Sequence, residues 1–151
     1  MTVLRALLTK FRGDCRGSVM VEFAILGPAL LAMLFGVMQF GIGMQNYNAL
    51  RSVSEEVARY AVINAQDAAA HSDMTMRDTN TELEAYAVEV GTIAPYHLQA
   101  SHLTATVTSV PTRVDGTSER TITLRYNVPS FLGMIGIDSI PITYTRSVFI
   151  A

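Results

Sequence analysis

The sequence predicts an α+β protein: a long amino-terminal helix, membrane-spanning and then amphipathic, packed on a short helix and a small antiparallel three-stranded sheet. Three observations predict it. From Phe23 to Met44 no side chain is charged, and the run exceeds the roughly 20 residues that cross a bilayer as a helix. Beyond Met44 the apolar residues recur at three- and four-residue intervals, the period of a one-sided helix. The carboxy-terminal third alternates apolar and polar residues in three short runs, the period of a strand.

The membrane segment comes first in the chain. Arg5, Lys10, Arg12 and Arg16 precede it against the single Asp14, while the residues just beyond Met44 are uncharged. That asymmetry keeps the basic flank in the cytoplasm. The chain therefore divides into a basic leader at 1–17, the transmembrane half of the long helix at 18–44, and an extracytoplasmic α+β domain at 45–151. A cleaved secretory signal fits poorly, because its apolar core is usually only about 7 to 15 residues long. Ala24, Pro28, Ala32 and Gly36 stand four apart, a stripe of small residues that lets another helix approach closely, although small residues are also common in membrane helices at large. Pro28 removes a backbone donor and loosens the helix around it.

The next stretch, QNYNALRSVSEEVARYAVINA, has no glycine or proline and places Tyr47, Leu50, Val53, Val57, Tyr60 and Ala61 on one face. It continues the span, so that one helix runs from Ser18 to about Gln66. After a polar loop, Asp67 to Arg77, TNTELEAYAVEVG reads as a short helix. Thr79 or Thr81 caps it, Glu82 or Glu84 completes a capping box, and Gly91 supplies the stop. Its inner face is Leu83, Tyr86, Ala87 and Val90.

Three strands follow, HLTATVTSV, RTITLRYNV and IPITYTRSVFI, as a meander whose first turn holds Asp115-Gly116. The second connection, Pro129 to Ile137, is more apolar than a surface loop usually is. Phe131, Leu132, Met134 and Ile135 there are candidates for contact with a partner, or for capping a core as small as this one.

Several functions are not expected. Cys15 is the one cysteine, so this chain alone builds neither an internal disulfide nor a thiolate metal cluster. The formal charge is -2, and no basic stripe interleaves with aromatics to follow the phosphates of a nucleic acid. His71, His97 and His102 are scattered, and HExxH, GxSxG and a phosphate loop are missing. An enzyme needs a convergent polar site; none is expected, nor any metal or cofactor. Asp115-Gly116 lacks the alternating oxygen ligands of a calcium loop.

Glu22 is the anomaly. A carboxylate near the start of a membrane helix costs free energy unless it is protonated, reaches the interface or meets a cation. Snorkelling to the headgroups would account for it. A cut between Gly17 and Ser18 would also do so, by creating an α-amino group four residues earlier, and would account for the glycine too.

The residues FRGDCRGSVMVEFAILGPALLAMLFGVMQFG, followed by YNALRSVSEEVARYAV, resemble the amino-terminal region of TadE-like proteins, the pseudopilins of tight-adherence (Flp-type) pili. Pro28, Phe40-Gly41 and Ala58-Arg59-Tyr60-Ala61 match that pattern, while Asp14 and Cys15 depart from its all-basic leader. TITLRYNVPSFLGMIGIDSIPITYTRSVF is similar to the family's closing pair of strands. The resemblance implies a pilin-like fold, cleavage by a prepilin peptidase at Gly17-Ser18, and an assembly role for Glu22 and Phe23. It further implies a single-pass protein of the bacterial inner membrane that helps assemble an adhesive pilus. The partners implied are the peptidase, another pseudopilin or the major pilin, the inner-membrane assembly machinery and the lipid bilayer. Two other classes stay open: an uncleaved, signal-anchored accessory protein that never enters a pilus, and a binding module released at Gly43.

Overall fold

The computed structural model describes residues 16–70, 79–131, 133 and 136–150, with the backbone alone at 16–18 and 68–70. The architecture is α+β. Helix α1 is Arg16–Ala70, 55 residues that Pro28 does not interrupt. Helix α2 is Asn80–Thr92, a short 3-10 turn is Ala100–His102, and the strands are β1 Leu103–Val110, β2 Ser118–Pro129 and β3 Ser139–Ile150. The long helix is described as far as Ala70, about one turn beyond the expected Gln66. Contacts divide the chain into two compact units between Met38 and Gln39.

In the first unit the side chains from Val19 to Met38 are exposed, with Gly27 half-buried. The helix is apolar enough to cross a membrane, with a mean hydropathy of 2.1 over its most apolar stretch. Leucine, phenylalanine and methionine in such numbers do not face water stably, since each gives up about 1.5–3 kcal/mol of burial.

The second unit has a closed core. Leu50, Val53, Val57 and Ala61 come from one face of α1, and all four are buried, as their spacing requires. Leu83, Ala87 and Val90 of α2 meet them, together with Ile122, Leu124, Tyr126 and Val128, which alternate along β2. Tyr86 is only half-buried because it stacks on Tyr60, ring centroids 4.0 Å apart, at the rim of the core. An aromatic with a polar tip suits that position.

Of the two caps open to α2, the fold uses Thr79 with Glu82. The Thr79 hydroxyl accepts from the Glu82 N–H at 3.2 Å, and the Glu82 carboxylate accepts from the Thr79 N–H at 3.1 Å. Glu84 acts elsewhere: its carboxylate accepts the Val107 N–H of β1 at 2.8 Å, which covers an edge that would otherwise offer a bare donor. Gly91 is not the stop. The helix continues to Thr92, and Ile93 is the cap. Gly91 is small because a Cβ there would lie 2.7 Å from Leu103 Cδ2.

The sheet is the expected meander, in the order β1-β2-β3. Leu103 pairs with Tyr126 and Val110 with Glu119; Ser118 pairs with Ile150 and Pro129 with Ser139. Gly116 turns the first hairpin at φ +83°, a conformation glycine enters freely.

Candidate functional site

The residues singled out in the sequence fall into three groups. Gly17 and Ser18 belong to α1. Four residues on, Glu22 is exposed, as is Phe23.

The second group is the stripe of small residues. A shallow concavity on α1 is lined by Phe23, Ala24, Gly27, Pro28, Leu30 and Leu31. It brings Ala24 and Pro28 together with Phe23 and leaves out Ala32 and Gly36. Its floor is Gly27, where a Cβ would sit 3.8 Å from the Phe23 ring. The four-residue spacing from Phe23 to Gly27 could have revealed this glycine. Beyond its chain neighbours and the helix's own backbone, nothing lies within 4 Å of a Cβ at Gly36.

The third group is the connection between β2 and β3. Leu132, Met134 and Ile135 lie outside the described residues. Phe131 is described, and its side chain is exposed. Its backbone N–H donates to Gln39 Oε1 at 3.1 Å, and Gln39 Nε2 donates to the Pro129 carbonyl at 3.2 Å. Gln39 is only 6 % exposed. Its importance had one sequence signal, for it is the one strongly polar side chain in the apolar run. The connection is closed by Ser130 N–H donating to the Asp138 carbonyl at 3.0 Å and by Gly136 N–H donating to the Gly133 carbonyl at 3.0 Å.

At the other end of the sheet Arg113 donates to both Glu119 oxygens, at 2.6 and 3.1 Å, and its guanidinium lies 5.5 Å from the Phe149 ring centre. The Glu119 side chain is buried, and the hydrogen bond from Arg113 holds its carboxyl below the ordinary glutamate range. This clamp locks the first hairpin. Among the described residues no three His, Cys, Asp or Glu side chains are grouped to hold a metal ion.

A family model described as TadE-like protein matches residues 17–59. No curated protein and no solved structure matches the chain. The matched segment takes in Gly17, Glu22, Phe23, the stripe from Ala24 to Gly36, and α1 as far as Arg59; it stops short of the sheet. Its apolar run fits a single-pass membrane anchor. Over residues 17–59, then, the chain is similar to the TadE-like family.

Proposed function

We propose that the chain is a pseudopilin or minor pilin, cut by a prepilin peptidase between Gly17 and Ser18 and acting in assembly of a Tad (Flp-type) pilus for surface attachment. The observation that carries this reading is the family match, which runs unbroken from Gly17 through Glu22-Phe23 and the apolar run. Cleavage leaves an α-amino group on Ser18, one helical turn from Glu22. The carboxylate then pairs with that amine, in its own chain or in a neighbour, so that a charge awkward in lipid becomes a register mark between subunits. Ala24, Gly27 and Pro28 give a neighbouring helix room to approach. The domain beyond Met44 stands on the extracytoplasmic side of the inner membrane and meets another pseudopilin or the major pilin. The chain performs no reaction of its own in this scheme; the peptidase acts on it.

The test is the first residue of the chain recovered from membranes, read by mass spectrometry in cells with and without the peptidase. Ser18 is expected with it, and an intact leader without it. A chain that keeps its leader where the peptidase is made would be an uncleaved anchored accessory protein instead.

A further inference from the structure

Gln39 lies inside the uncharged run that ends at Met44. At about 1.5 Å per residue it is roughly 7 Å short of that end. A carboxamide facing acyl chains at this level would lack partners. Here both its ends are used, by the Pro129 carbonyl at 3.2 Å and the Phe131 N–H at 3.1 Å. The β2–β3 connection is therefore tied to α1 at a level within the apolar run.

The contacts farther along α1 keep this order. Tyr47 meets Tyr144 edge to face, with centroids 5.7 Å apart. Glu55 meets Arg146 at 3.3 Å. Positions 39, 47 and 55 of the helix thus face 129–131, 144 and 146, so β3 runs from the level of Gln39 toward that of Glu55 and the connection is its near end. The chemistry changes in the same sequence, from apolar to paired tyrosines to an ion pair, as it does across a membrane interface. At the near end the large apolar side chains among the described residues are exposed. Phe131 is 53 % exposed and Ile137 43 %, with Ile140 exposed beside them and Phe40 70 % exposed on the helix.

We propose that the β2–β3 connection inserts Phe131, Ile137 and Ile140 into the leaflet at the Met44 end of the span, so that two apolar elements hold the domain on the membrane. The proposal rests on reading α1 as a membrane span. Its occupant is lipid, because the connection is held at Gln39, inside the uncharged run and next to the exposed Phe40. Insertion is shallow. Asp138 is exposed at the base of the connection, and its carboxylate belongs among the headgroups.

The chain contains no tryptophan, so single tryptophans report depth. Phe131→Trp and Ile137→Trp probe the connection, Phe40→Trp the span, and Val114→Trp the exposed first hairpin turn. Each full-length variant is reconstituted into phosphatidylcholine vesicles brominated near either the ester or the methyl end of the acyl chains. The two connection variants are expected to emit at shorter wavelength than Val114→Trp and to be quenched more by the ester-end bromines than by the methyl-end ones. Should they be indifferent to bromine while Phe40→Trp is quenched, the connection lies outside the lipid and the proposal fails, though the anchor stands. Should they be shielded from both bromine and aqueous acrylamide, protein covers them and the proposal also fails. If Phe40→Trp itself escapes quenching, the membrane-span reading falls and takes this one with it.

Discussion

Leu30 and Leu50 belong to the same 55-residue helix, yet Leu30 is 65 % exposed and Leu50 fully enclosed. The neighbours of each follow suit. Phe23, Ile25, Leu26, Leu31 and Leu34 share the exposure of Leu30, whereas Val53, Val57 and Ala61 share the burial of Leu50. One backbone geometry thus carries two kinds of apolar surface. In the first region apolar residues occupy every face, as in a helix whose solvent is lipid. In the second they occupy one stripe, because the chain's own sheet and short helix cover that side and water takes the other. Substitutions in the first region should therefore act on assembly and leave domain stability alone. Substitutions in the second should do the reverse.

The largest expected effect is on assembly. Glu22→Ala should insert as well as the wild type, since an acidic side chain hinders insertion more than it helps, and should leave the melting temperature of the domain unchanged. Surface pili should nevertheless be lost. Normal piliation, seen by electron microscopy, would leave snorkelling as the only role of Glu22 and weaken the division of labour.

Next comes the core. Leu50→Ala should cost about 2–5 kcal/mol, the range for deleting a buried leucine side chain, while Leu30→Ala should cost the domain nothing. Thermal unfolding of both in the same detergent gives the contrast directly; equal melting temperatures would break it. Glycines offer a smaller version. Gly91→Val drives a side chain into Leu103 and should cost about 1–3 kcal/mol as overpacking. At Gly36 a Cβ meets nothing within 4 Å beyond its chain neighbours and the helix's own backbone, so Gly36→Val should spare the domain and instead reduce co-purification with a partner pilin. Chemical denaturation and pull-down of the pair would show whether the two effects separate.

Smaller again is the cap on α2. Thr79→Ala removes the hydroxyl that accepts the Glu82 N–H and should cost about 1 kcal/mol, readable as a lower urea midpoint. The smallest effect at neutral pH concerns Glu119, whose carboxyl is held low by the hydrogen bond from Arg113. A carboxyl with a lowered folded pKa adds stability that is complete above its unfolded value and fades as the pH falls through the folded one. Wild type should accordingly exceed Glu119→Gln in urea midpoint at pH 7, with the gap closing in acid. A gap that does not change with pH would mean that Arg113 and Glu119 matter by packing alone.

Much of this molecule was legible in its sequence because the signals concerned are local. The length of the apolar run, the change to a three- and four-residue period after Met44, and the alternation of Ile122, Leu124, Tyr126 and Val128 each depend only on near neighbours. The same holds for the capping box, for which the sequence offers two settings. Tertiary packing chose Thr79 with Glu82 and released Glu84 to reach Val107.

Other features were decided only by the fold. A glycine near the end of a periodic stretch reads as a stop, and Gly91 has that appearance; the docking of β1 is what sets Leu103 Cδ2 against the space a side chain there would fill. Gln39 could be noticed as polar in an apolar run, but its partners stand ninety residues away, at Pro129 and Phe131. Periodicity says which face of an element is apolar. It does not say which distant residue that face will meet, because that depends on how the elements dock, and the docking of β3 along α1 sets the level at which the β2–β3 connection is held.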